Sequence, residues 1–199
     1  MSTETPEPRL PVVSGKRVYL ASLRREDVPL FVRWFNNLEY TAYLGSAGFA
    51  ATVEDEQGWY DGAAKRSEHK ATFAIVERET EQVIGNVSLF DINHRAGTAV
   101  LGIGIGDPAK WGRGYGSEAV RLMVEYGFYF LNLWNIQLWH IAFNERGHRA
   151  YLKAGFREVG RVRGANVLGG VRYDNVLMDI TREDVDLSQM RSLIKLIDE

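Results

Sequence analysis

The sequence predicts one α/β (α+β) domain: a single mixed, mostly antiparallel central sheet of about seven strands flanked by about four helices. Three observations predict it. The chain has 199 residues, enough for one domain, and 45% hydrophobic and 12% aromatic residues supply a core. Alternating, β-branched runs interleave with runs whose apolar residues recur at spacings of three and four. The resulting order, β-α-α-β-β-β-α-β-α-β-β, mixes strand runs with single helices, as one sheet carrying helices does.

The elements follow in chain order. Residues 1–14 contain Pro6, Pro8 and Pro11 and read as a loose leader, without the charged and apolar regions of a signal peptide. The domain is expected over 15–181. Lys16–Leu23 alternates as a strand. Arg24–Leu38 places Val28, Phe31, Trp34, Phe35 and Leu38 at helical spacing, and Thr41–Ala51 reads as a loop. Thr52 opens a second helix through a capping box with Asp55, and Trp59, Tyr60 and Ala63 form its inner face. Ala71–Val76, Gln82–Phe90 and Thr98–Ile105 are strands, the first two joined by a turn at Glu79–Glu81. A helix follows over Gly114–Leu131, then a strand over Asn135–Phe143. A helix over Glu145–Ala154 stops at Gly155, and strands at Arg157–Val162 and Arg172–Asp179 flank a Gly-rich turn. The tail, 182–199, forms an amphipathic helix packing through Leu187, Met190, Leu193, Ile194 and Ile197.

Composition excludes several function classes. The net charge of −2 carries no basic stripe, so nucleic acid is not expected as a partner. The absence of cysteine removes disulfides, thiolate metal sites and a cysteine nucleophile, and fits the cytoplasm; no metal is expected. No run of about 18 apolar residues provides a membrane span.

The run GIGIGDPAKWGRGYGSEAV, Gly102–Val120, holds six glycines. Gly112, Gly114 and Gly116 lead into a helix, whose first N–H groups are unpaired and carry the positive end of the macrodipole. Bare backbone there admits a phosphate, and Lys110 and Arg113 add positive charge. A Walker A loop is absent, and the glycine spacing is not that of a dinucleotide fingerprint. A turn that simply feeds a strand into a helix is the plainer reading. Gly102, Gly104 and Gly106 alternate, which strips one strand face of side chains and suggests an extended ligand lying along it. Coenzyme A has that shape, its pantetheine amides pairing with backbone at Ile103 and Ile105 by strand addition.

A second stretch, NERGHRAYLKAGF, begins with Asn144 at a helix N-cap and places Tyr151 seven residues on, on the same face. A capped helix with a packed tyrosine explains it without function.

Together, PAKWGRGYGSEAV and NERGHRAYLKAGF resemble the two signature blocks of the GNAT acetyltransferase superfamily. The first resembles its pyrophosphate loop, where Gln or Arg is followed by two residues, Gly, one residue, and Gly or Ala. The second resembles its block of Asn, six residues, Tyr, three residues, Gly-Phe. The element order also matches, from Lys16 to about Asp179. FDINHRAGTAV and FREVGRVRGANVLGGVRYDNVLM are similar to the ribosomal-protein N-terminal and spermidine acetyltransferases.

The resemblance implies acetyl-CoA as co-substrate and a primary amine as acceptor, a protein N-terminus, a polyamine or another small amine. It implies that Ile103 and Ile105, with Gly104 between them, offer backbone to pantetheine. Trp111 leads into the pyrophosphate cradle of Gly112, Arg113, Gly114, Tyr115, Gly116 and Ser117. Asn144 would bond the pantetheine arm, and Tyr151 would be the general acid near the thioester sulfur. The residues are silent on oligomeric state; dimers are usual among such relatives, which makes a homodimer one possible assembly.

Two departures stand out. Trp111 occupies the Gln or Arg position, leaving that contact to backbone. Val100 and Leu101 stand where many relatives carry a glutamate near the amine. His140 reads as a core or sheet-edge histidine, Asp91 and His94 as turn residues, and Glu54, Asp55 and Glu56 as a solvated helix start. Each is also a candidate on the acceptor side. A CoA-binding sensor without turnover is the alternative from a different class, and a nucleotide-binding α/β domain is a third.

Overall fold

The computed structural model describes residues 8–188 and Met190. The sheet starts earlier than expected. Pro11–Ser14 (β1) pairs antiparallel with Val18–Ala21 (β2), so the leader is not loose over its whole length and the sheet has eight strands. Burial decides this: Val13 is 1% exposed, while Pro11 is tolerated because β1 is an edge strand.

The expected helix over 24–38 is broken. A 3-10 turn at Arg25–Asp27 leads into Val28–Phe35 (α1), and a separate helix, Leu38–Leu44 (α2), occupies part of the expected loop. Asn37 causes the break. Its side chain accepts from the N–H groups of Glu39 and Tyr40, which caps a new helix, and Gly45 ends it in the left-handed region. Val53–Ala63 (α3) begins at the predicted Thr52–Asp55 capping box. The flanking helices therefore number five rather than four.

Three antiparallel strands follow: Ala71–Glu77 (β3), Val83–Asn93 (β4) and Thr98–Ile105 (β5). Tyr115–Phe130 (α4), Asn135–Ile141 (β6) and Glu145–Ala154 (α5) come next. Arg157–Leu168 (β7) and Val171–Thr181 (β8) close the sheet as a hairpin. Its two turn residues, Gly169 and Gly170, both have positive φ, as a tight hairpin turn demands. The sheet order is β1-β2-β3-β4-β5-β6-β8-β7, antiparallel throughout except between β5 and β6.

The main core fills the face under α4, with Ile75, Leu89, Met123, Ile136, Leu138 and Phe156 buried there. A second cluster packs α1 and α2 on the opposite face around Phe31, Trp34 and Tyr40. In the C-terminal tail, Leu187 and Met190 are buried as expected. Leu193, Ile194 and Ile197 lie outside the described residues.

The one parallel junction positions the site. β5 pairs with β6 only over Thr98–Val100, opposite Asn135–Gln137. Beyond Val100, β5 stays with β4 while β6 stays with β8. The strands part, and the gap opens onto the N-termini of α4 and α5.

Candidate active site

A cavity of about 930 Å³ lies in this gap. Its walls include every residue expected to bind or react: Ile103, Gly104, Ile105, Trp111, residues 112–117, Asn144 and Tyr151.

β5 presents a free backbone edge. The N–H of Gly106 donates to the Ile84 carbonyl, and antiparallel bonding alternates along a strand. Gly104 and Gly102 therefore turn their backbone groups toward β4. Leu101, Ile103 and Ile105 turn theirs into the gap.

The glycine face does a different job from the one expected. A Cβ at Gly104 would overlap the Tyr40 hydroxyl, and one at Gly106 would overlap the Trp34 indole. The bare face lets α1 and α2 pack closely on the sheet. An extended ligand would meet the strand's open edge instead.

Between β5 and α4, Gly112 (φ 72°) and Gly114 (φ 86°) both lie in the left-handed region, which only glycine enters cheaply. Gly114 is the N-cap of α4 and supplies no side-chain cap. The first N–H groups of α4 thus face the cavity with the positive end of the helix. The Arg17 guanidinium braces the loop, donating to the Arg113 carbonyl at 2.5 Å. Arg17 lies in the strand-like N-terminal run and no motif marked it.

Two expected contributions change. Lys110 does not stand free: its ammonium lies 2.5 Å from buried Glu77. Lys110, Thr80 and the Tyr115 hydroxyl all donate to that carboxylate and hold its pKa down at about 2. The Tyr115 side chain is buried in this network, which leaves its backbone for the cradle. Trp111 is also more than backbone. Its indole N–H donates to the Ile105 carbonyl at 2.6 Å, and the Arg146 guanidinium lies 3.7 Å from the center of a Trp111 ring.

On α5, Asn144 caps the helix by accepting from the Gly147 N–H at 2.9 Å. Its amide nitrogen has no partner among the described residues. Tyr151 packs against the core, and burial pushes its phenol up to about 12. Its hydroxyl has no hydrogen bond among the described residues.

His140 is 6% exposed and sits beside Tyr151, with ring centroids 5.7 Å apart. Its Nδ1 lies 3.0 Å from the Ile141 carbonyl and its Nε2 lies 3.0 Å from His148 Nδ1. A proton on Nδ1 leaves Nε2 as acceptor from His148. Burial lowers the His140 pKa. The core reading of this residue holds, although its ring also touches the cavity.

The remaining candidates fall away. Asp91 and His94 are exposed at the β4–β5 hairpin and do not line the cavity; His94 bonds the Glu68 carbonyl. Asp55 serves the Thr52 cap. Glu56 is buried on α3, where burial raises its pKa, and it too stays outside the cavity walls. Among the described residues no group of three His, Cys, Asp or Glu side chains could hold a metal. No helix there is long and apolar enough to cross a membrane.

The family model for the acetyltransferase (GNAT) domain matches residues 17–157. This chain belongs to the GNAT acetyltransferase family. The GNAT model spans β2 to the first residue of β7, so both signature blocks fall inside it. Spermidine N(1)-acetyltransferase of Escherichia coli (strain K12) is 30% identical over 164 residues, covering 82% of this chain and 85% of that protein. An uncharacterized N-acetyltransferase of Bacillus subtilis (strain 168), YoaA, is 27% identical over 173 residues, covering 86% of this chain and 97% of that one. The crystal structure of spermidine N-acetyltransferase from Vibrio cholerae, in complex with CoA and spermine, shares the fold. Its TM-score is 0.77 at 22% identity, over 85% of this chain and 98% of that one. The GNAT fold expected from the sequence is therefore the fold observed, and the chain is an N-acetyltransferase of that family.

Proposed function

We propose that this GNAT enzyme transfers the acetyl group of acetyl-CoA directly to a primary amine, with Tyr151 as general acid. The observation that carries the reading is the alignment of three features on one cavity: the open edge of β5, the uncapped N-terminus of α4, and the unpartnered Tyr151 hydroxyl.

The residues suit the donor. Backbone groups of Ile103 pair with the pantetheine amides by strand addition. The cradle from Gly112 to Ser117, flanked by Arg17 and Arg113, takes the pyrophosphate. The free amide nitrogen of Asn144 donates to the pantetheine arm.

In the reaction, neutral amine attacks the thioester carbonyl and the C–N bond forms. A backbone N–H on the open edge of β5 stabilises the resulting oxyanion. Collapse breaks the C–S bond, and the Tyr151 hydroxyl protonates the departing thiolate. The nitrogen's surplus proton leaves through water and restores the tyrosine. Val100 and Leu101 line the cavity where a carboxylate base would act, so the amine arrives already neutral.

The acceptor is a protein N-terminal α-amine or a small amine. Thiol release across a panel of such amines tests the reading. Calorimetric binding of acetyl-CoA without turnover on any amine would favour a CoA-binding sensor instead.

A further inference from the structure

The β4–β5–β6 face away from α4 shapes the end of the cavity reached by the acceptor. Opposed residues of a parallel pair share a face, so Val100 and Gln137 set the register at the point of parting. One step on, Trp139 stands on this face, and Phe90 lies over Gly102 with ring carbon 3.2 Å from where a Cβ would be. Phe90 and Trp139 are 37% and 51% exposed, and both line the cavity with Val100. Large aromatic side chains left open at a cavity wall are surface held ready for an apolar ligand.

The polar pair of β7 and β8 that lines the cavity on this face is neutral. Asn166 donates to Asn175 at 2.6 Å, and Asn166 Oδ1 lies 3.6 Å from where a Cβ of Gly45 would be. The charges around the cavity are of one sign. Arg17, Lys110, Arg113, Arg146, Arg149 and Lys153 line it, and among the described residues no aspartate or glutamate does. Arg146 stands against two aromatic rings at the cavity, 3.7 Å from the center of a Trp111 ring and 4.6 Å from the center of the Tyr43 ring on α2. A second or third ammonium on the acceptor would enter a cavity whose lining holds cations and no carboxylate.

From this wall we infer that the acceptor is a monoamine carried on a neutral, apolar or aromatic body, not a polycation. The inference rests on the proposed transferase reading and narrows it. Phe90, Val100 and Trp139 hold the body, the Asn166–Asn175 pair bonds a neutral polar group on it, and the amine reaches the gap between β5 and β6.

The test is steady-state thiol release with 2-phenylethylamine, a neutral hexapeptide with an apolar first residue, and spermidine. One of the first two is expected to exceed spermidine in kcat/KM by at least tenfold, and the faster of them identifies a small amine or a peptide as the source. Trp139→Ala should raise KM for that amine roughly tenfold, the loss expected from one aromatic contact with its burial, while kcat and acetyl-CoA affinity change little. Val100→Glu should move the preference toward spermidine. A wild-type preference for spermidine overturns the inference and leaves the transferase standing. If no amine turns over, the transferase reading fails. Calorimetry of 2-phenylethylamine and spermidine on the CoA-loaded protein then decides the inference, with equal or tighter spermidine binding overturning it.

Discussion

The Trp111 indole N–H donates to the Ile105 carbonyl at 2.6 Å, closing one of the backbone groups that β5 turns into the gap. In the proposed donor complex a pantetheine amide would compete with the indole for that carbonyl. Trp111→Phe keeps an aromatic face for Arg146 and removes the competing N–H. It should tighten acetyl-CoA binding by roughly two- to tenfold, the worth of one net hydrogen bond, as read by calorimetry. Weaker binding would mean that the indole organises the edge for the donor.

Tyr151→Phe should lower kcat by roughly 10²–10⁴ with acetyl-CoA affinity retained, since only the proton is lost. The pH profile carries a second signature. Without a base, kcat/KM should climb with pH as the amine deprotonates near its ordinary value, about 8 for a peptide α-amine and about 10 for an alkylamine. On the proposed mechanism the acid form of Tyr151 is the active one, and burial keeps it protonated up to about 12. No descending limb should therefore appear while the amine is titrating. A downturn near pH 8 would assign the acid to another group.

Gly104→Ala tests the packing role of the glycine face. The new methyl would overlap Tyr40 on α2, and overpacking of this kind costs about 1–3 kcal/mol. Thermal or urea unfolding should register the loss. An unchanged stability together with weakened acetyl-CoA binding would return the glycines to the ligand.

Glu77→Gln should destabilise the fold by about 1.5–3 kcal/mol at neutral pH, because it removes charged hydrogen bonds to Lys110 and Tyr115. The sign with pH is fixed by the depressed pKa, about 2 against an ordinary 4.5. The stabilisation is complete above about 4.5 and disappears as the pH falls toward 2. The wild type and the variant should therefore converge in stability across that acid window, measured by urea unfolding.

The elements that frame the proposed donor half of the site were legible in the sequence because their signals are local. Left-handed glycines at 112 and 114, a helix starting straight after them, and an Asn144 cap with Tyr151 two turns on are each written within a few residues. The helix break at Asn37 is local as well, yet the periodicity of Val28 through Leu38 ran across it. The apolar spacing continued while the capping amide began a new helix.

Tertiary structure decided the rest. Alternation alone told that Gly102, Gly104 and Gly106 share a face, and only the packing of α1 and α2 told that aromatic rings cover it. Lys110 read as a free cation until β3 brought Glu77 beneath it. Arg17 reaches the loop at Arg113 from 96 positions away. Phe90, Val100, Trp139, Asn166 and Asn175 come from five different strands, and no spacing along the chain joins them. A helix end binds through its own backbone, so a few consecutive residues specify it. The proposed acceptor wall exists only where separate strands part, so its chemistry is set by the fold that brings those strands side by side.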